Sequence, residues 1–165
     1  MVEYMATDEV PVSAAFLLAQ LGAHAAARYA ERIGEHGFTP PQTGILRLLR
    51  GQPGISQQQL AELLGMLPSR VVALVDELES AGYVERVRDG ADRRRNSLEL
   101  TATGKGALRT IGSVARAHDA AICAALTDKE HATLTELLQR IADEQGLTPG
   151  VHPGYRSLRP PTSRR

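Results

Sequence analysis

Residues 86–104 read RVRDGADRRRNSLELTATG. Two β-prone segments, Tyr83–Arg88 and Asn96–Thr101, flank a tip rich in turn formers and arginine. Leu98 and Leu100 alternate with Ser97 and Glu99, so one face of the second segment turns inward. The stretch therefore predicts a β-hairpin that carries guanidinium groups at its tip. Between Arg86 and Arg95 lie five arginines and two aspartates. A local cluster of this kind binds phosphate even when the whole chain is neutral. This chain is neutral, with 19 basic and 19 acidic residues.

Upstream of the hairpin, Ser56-Gln57-Gln58-Gln59 reads as a capping box. It opens a short helix with Leu60, Leu63 and Leu64 facing in. Gly65 interrupts the pattern, and Pro68 restarts it at a position proline favours. Val71, Leu74, Val75 and Leu78 then repeat at helical spacing up to Gly82. Two helices around a Gly-containing turn predict a helix–turn–helix. A basic hairpin behind it predicts a winged helix that grips duplex DNA.

The outer segments read as helices. Pro11–His36 carries Leu17, Leu18, Leu21, Ala25 and Tyr29 at helical spacing, with Gly37 as its stop. Thr39-Pro40-Pro41-Gln42 starts another helix, with Ile45, Leu46, Leu48 and Leu49 as its apolar face. Downstream, Thr101 caps a helix expected to run to about Leu126, with Leu108, Ile111, Ala115, His118 and Ile122 in line. Thr127-Asp128-Lys129-Glu130 is a third capping box, followed by Leu134, Leu137, Leu138 and Ile141 up to Gly146. Residues 147–165 combine Pro149, Pro153, Pro160 and Pro161 with Arg156, Arg159, Arg164 and Arg165, and read as a basic, weakly structured tail. The expected class is mainly α with a small β element (α+β).

Several function classes are excluded by what the chain lacks. No GxSxG, P-loop, HExxH or GxGxxG at a strand–helix junction occurs, so neither enzyme nor cofactor is expected. Gly104-Lys105-Gly106 is a helix start. No run approaches the roughly 20 apolar residues that span a bilayer. The opening MVEYMATDEVP is acidic, unlike a secretory signal. One cysteine, Cys123, excludes a disulfide framework and a Cys-rich zinc site. A soluble cytoplasmic protein, with no membrane partner, is expected.

The segments ISQQQLAELLG (55–65), PSRVVALVDELESAGYVERVRD (68–89) and DRRRNSLELTATG (92–104) resemble the MarR family of bacterial transcription regulators. The resemblance extends over residues 10–145 in helix order and length. It implies a homodimer in which residues 10–38 and 102–146 form the dimerisation helices. Residues 39–101 would be the winged helix–turn–helix, and a small, often phenolic or otherwise aromatic effector would release DNA. The chain departs from the family at Leu67, where a polar N-cap is usual. It also departs at Val72 and Ala73, where the family often has Ser and Arg or Ser. Base readout would then lean on thymine methyls and DNA shape.

Under this reading the candidate DNA contacts are Ser56, Gln57, Gln58, Pro68, Ser69, Arg70, Arg86, Arg88, Arg93, Arg94, Arg95 and Asn96. Ser56–Gln58 serve equally as a helix cap or as a phosphate site. Arg86 or Arg88 has Glu85 and Asp89 as alternative partners, and Asp92 is expected to orient a neighbouring arginine. His118 is either a core histidine or, with His36, part of an effector pocket between the dimer helices and the winged helix. Cys123 is expected to be a buried, inert thiol, and no metal site is expected. A protein-interaction module and a metal-responsive regulator stand as alternatives.

Overall fold

The computed structural model describes residues 12–88 and 96–158. The element order is α1 (Ala14–Gly34), α2 (Pro40–Gly51), α3 (Gln57–Leu64), α4 (Pro68–Ser80), β1 (Val84–Arg88), β2 (Asn96–Leu100), α5 (Ala102–Ile122) and α6 (Asp128–Glu144). A 3-10 turn, Pro153–Leu158, follows. The fold is a winged helix–turn–helix flanked by long helices, as the sequence pattern implies.

Local chemistry sets the helix starts. The Ser13 hydroxyl accepts from the Phe16 N–H and begins α1, inside the longer helix expected from Pro11. Gln42 accepts from the Thr39 N–H at 2.9 Å ahead of α2. Thr127 and Glu130 cap α6 reciprocally. The Thr127 N–H and hydroxyl hold the Glu130 carboxyl below its usual range. α5 ends at Ile122, one turn short of the expected Leu126, and Leu126 N–H turns back onto the Cys123 carbonyl.

The core lies inside the winged helix. Leu46, Leu49, Leu60, Leu64, Leu74, Leu78 and Leu98 are almost fully buried. Each contributes about 1.5–3 kcal/mol by burial. α5 adds Leu108, Ile111 and Val114, so its inward stripe runs through Val114. Ala115, His118 and Ile122 are only partly covered.

Outside this core the helices are bare. Phe16, Leu17, Leu18 and Leu21 on α1 and Leu134, Leu137, Leu138 and Ile141 on α6 are exposed. No residue of α6 is buried. Among the described residues, no helix is long and apolar enough to cross a membrane.

Within the stretch expected to be weakly structured, Val151 and Tyr155 pack against the core. The Tyr155 hydroxyl donates to the Pro40 carbonyl at 2.8 Å. A Cβ on Gly44 would stand 2.9 Å from the Tyr155 hydroxyl oxygen and 3.0 Å from Cε2. Burial, reinforced by nearby Tyr29, pushes the Tyr155 phenol up. Tyr155 thus fastens this stretch to the start of α2. A side chain at position 44 would require the Tyr155 ring to shift.

Candidate nucleic-acid interface

The helix–turn–helix is built around the turn at Gly65, whose φ of 64° suits glycine. The Ser56 hydroxyl accepts from the Gln59 N–H at 3.2 Å, and Gln59 reaches back to the Ser56 N–H at 2.9 Å. Ser56 is therefore a working cap. α4 begins at Pro68 with no side-chain cap from Leu67. Gln57 and Gln58, at the start of α3, share a cleft of about 580 Å³ with Leu67, Pro68 and Val72, at the start of α4. Two helix N-termini, each with its positive dipole end, thus border one groove. The Gln57 amide nitrogen is buried there without a hydrogen-bond partner. Gln58 donates to Glu62 at 3.2 Å.

The outward face of α4 carries Pro68, Ser69, Arg70, Val72 and Ala73, all exposed. Val72 is 40% exposed, on a helix whose other face buries four apolar residues. The sequence places few hydrogen-bonding groups here, and the structure presents Ser69 and Arg70 as the exposed polar pair.

The hairpin is pinned to this helix pair. β1 and β2 run antiparallel with Val84 opposite Leu100, Arg86 opposite Leu98 and Arg88 opposite Asn96. Ser56 forms a bridge with Ser97, and the Leu98 N–H donates to the Ile55 carbonyl at 2.9 Å. The cap residue of α3 is thus also bridged to the second strand of the wing. Nothing in the local sequence announces this bridge, because one residue supplies no alternation to read. Arg93, Arg94, Arg95 and Asp92, and the side chains of Arg88 and Asn96, lie outside the described residues.

Arg86 pairs not with Glu85 but with two carboxylates of α4. It forms ion pairs with Asp76 and Glu79 on α4, and its N–H donates to Glu79 at 3.2 Å. The side chain is only 22% exposed. Burial opposes its charge, but the Asp76 hydrogen bond and the Glu79 charge outweigh that and raise its pKa. Arg86 clamps the wing to α4. Accordingly, Arg86→Ala should lower stability by about 1–2 kcal/mol. The salt dependence of DNA binding should stay as in the parent, measured by thermal melts beside a salt series. A flatter salt slope at unchanged melting temperature would make Arg86 a phosphate contact after all.

The two histidines named for an effector pocket are not brought into one cavity. His36 is exposed and lines a groove with Arg32, Glu35, Ser113 and Ala117. His118 is not among the lining residues and packs against Tyr29, with ring centroids 5.5 Å apart. Its Nδ1 is buried without a partner. Burial, then the Arg32 charge, lower its pKa, so the neutral form is favoured. A different cleft, of about 690 Å³, opens between α2, β2 and α5. Leu49, Pro53, Leu100 and Leu108 give it apolar walls, and Arg50, Lys105, Arg109 and Arg116 line it together with one carboxylate, Glu99. The sequence offered no signal for it, since its cations come from two helices far apart in the chain.

Residues 36–95 match the family model described as MarR family. A Thauera aromatica protein described as a transcriptional regulator of the hcr operon is 35% identical over 113 residues, 68% of each chain. The chain belongs to the MarR family. The transcriptional repressor Rv2887 of Mycobacterium tuberculosis is 28% identical over 83% of this chain and 97% of its own. A solved structure of Rv2887 with DNA superposes with a TM-score of 0.70 at 27% identity, over 79% of this chain and 98% of that one. Rv2887 has also been solved with salicylic acid, at a TM-score of 0.66 and 28% identity over 79% and 96% of the two chains. Escherichia coli MarR shares the fold, with a TM-score of 0.71 at 22% identity over 79% of this chain and 96% of that one. These MarR-family relatives are transcriptional regulators and not enzymes.

Proposed function

We propose that this MarR-family regulator is a homodimeric repressor acting on DNA in the cytoplasm. Two copies of α4 enter successive major grooves of a pseudo-palindromic operator, and the wing arginines grip the flanking backbone. The observation that carries the reading is the exposed face of α4 beside a wing pinned to it through Ser56–Ser97 and Arg86. The bare leucines of α1 and α6 support the dimer, because apolar stripes of this extent are covered by a partner in solution.

The effector we infer is a small aromatic carboxylate, seated between α2, β2 and α5. Apolar walls with a few convergent charges are what such a ligand needs. The cleft supplies four cations against one carboxylate, Glu99, around leucine and proline side chains. Salicylic acid, the ligand solved with Rv2887, is of this class.

The test is a fluorescence-anisotropy titration with the DNA upstream of the protein's own gene, with and without salicylate. Expected are binding that weakens steeply with salt, a stoichiometry of two chains per site, and release by salicylate that Arg109→Ala abolishes. Salt-independent DNA binding, or none, would instead favour a protein-interaction module.

A further inference from the structure

A second cluster of chemistry lies away from the DNA face, where α5 turns into α6. Asp119 and Cys123 are one helical turn apart on the end of α5, and His131 is in the first turn of α6. One oxygen of Asp119, the Cys123 sulfur and one ring nitrogen of His131 all lie within 4.8 Å of one another. His131 Nε2 and Asp119 Oδ2 are 3.2 Å apart. Cys123 is partly exposed, not the buried thiol its apolar neighbours imply.

We propose that Asp119, Cys123 and His131 form a three-ligand site for a divalent transition metal of the zinc class. The donor set decides the class. A thiolate, an imidazole and a single carboxylate suit Zn(II) or Co(II), whereas Mg(II) and Ca(II) demand shells of oxygen. Zinc–ligand bonds of about 2.0–2.3 Å in a tetrahedral shell put ligand atoms roughly 3.3–3.8 Å from one another. The Asp119–His131 pair, at 3.2 Å, is close to that spacing, and all three donor atoms lie within 4.8 Å of one another. Three protein ligands leave one position open, filled by water or another donor. The exclusion of a Cys-rich site from one cysteine holds, but it does not reach a mixed set drawn from two helices.

The location gives the ion a task. α6 buries none of its own residues, and the His131–Asp119 pair ties it to α5. Metal at this hinge fixes the angle at which α6 presents Leu134, Leu137, Leu138 and Ile141.

Cobalt titration of the untagged, metal-stripped chain under a non-chelating reductant tests the site. Expected is one Co(II) per chain, with a near-ultraviolet thiolate-to-cobalt charge-transfer band that Zn(II) erases. Cys123→Ser should abolish that band, and His131→Gln should lower Zn(II) affinity by at least about 10-fold. Asp119→Asn, at a largely exposed side chain, should weaken Zn(II) binding with an unchanged circular-dichroism spectrum. His36→Gln should leave binding intact. Absence of the charge-transfer band in the parent chain, or equal Zn(II) affinity in all three ligand variants, overturns the site.

Discussion

Gly104→Ala should destabilise the protein by at least about 3 kcal/mol, where overpacking usually costs 1–3. In a chain of this size that is a fall in Tm of about 6–12 °C. The reason is geometric. A Cβ on Gly104 would lie 2.0 Å from the Tyr83 carbonyl oxygen and 3.0 Å from its carbon. Both neighbours are backbone, so no side-chain rotation relieves the clash. The Tyr83 carbonyl accepts from the Thr101 N–H, and the Tyr83 N–H donates to the Leu78 carbonyl at the end of α4. Thr101 in turn caps α5 through the Gly104 N–H and donates its hydroxyl to the Gly82 carbonyl at 2.6 Å. Moving α5 outward breaks its cap, and moving Tyr83 pulls on both the wing and α4. Gly106→Ala is the control. Its Cβ would meet only the end of Arg109 at 3.6 Å, and alanine in a helix interior gains about 0.5–1 kcal/mol over glycine. Thermal melts of the two variants should therefore shift in opposite directions. Equal shifts would mean that the strand–helix joint is looser than this packing requires.

Much of this architecture is legible in the sequence because its determinants are local. The capping boxes at Ser56 and Thr127 act over three residues, and they start α3 and α6 where the residue types imply. Leu98 and Leu100 alternate and turn inward together. Pro68 restarts the chain even without a polar residue at Leu67. The features that escaped reading all join distant segments. Arg86 looks like one more cation of a basic run until α4 brings Asp76 and Glu79 against it. Tyr155 belongs to a stretch with the composition of a loose tail, and Gly44 to an ordinary helix. The ring seated at that glycine follows from neither segment alone. Asp119 and His131 are unremarkable singly, and the α5–α6 turn makes them neighbours. The candidate interface divides along the same line. Exposure at Ser69 and Arg70 follows from helix periodicity, while the fastening of the wing depends on pairings between separate elements, Arg86 with α4 and Ser97 with Ser56.

Arg94 and Arg95 replaced together by alanine should cost roughly 100-fold or more in DNA affinity at low salt, on every duplex tested. Strand pairing closes at Arg88 opposite Asn96, so these two arginines belong to the segment that joins the strands. With Arg86 committed to α4, the wing's cationic reach falls to the remaining arginines. A charge-assisted hydrogen bond contributes about 1.5–3 kcal/mol, so losing even two per dimer yields a change of this size. If each of the four lost guanidinium groups neutralised one phosphate, the slope of log K against log salt would become shallower by about 3.6. Specificity should respond differently. The exposed face of α4 offers Val72 and Ala73 where polar groups would read base edges, so the ratio between operator and random duplex should change little in the double variant. Val72→Ala should do the reverse, reducing that ratio while leaving the salt slope alone. Anisotropy titrations at several salt concentrations, beside thermal melts that report folding, separate the two effects. Unchanged affinity for random duplex in the folded double variant would falsify the wing grip, and the burden of binding would return to the groove between α3 and α4.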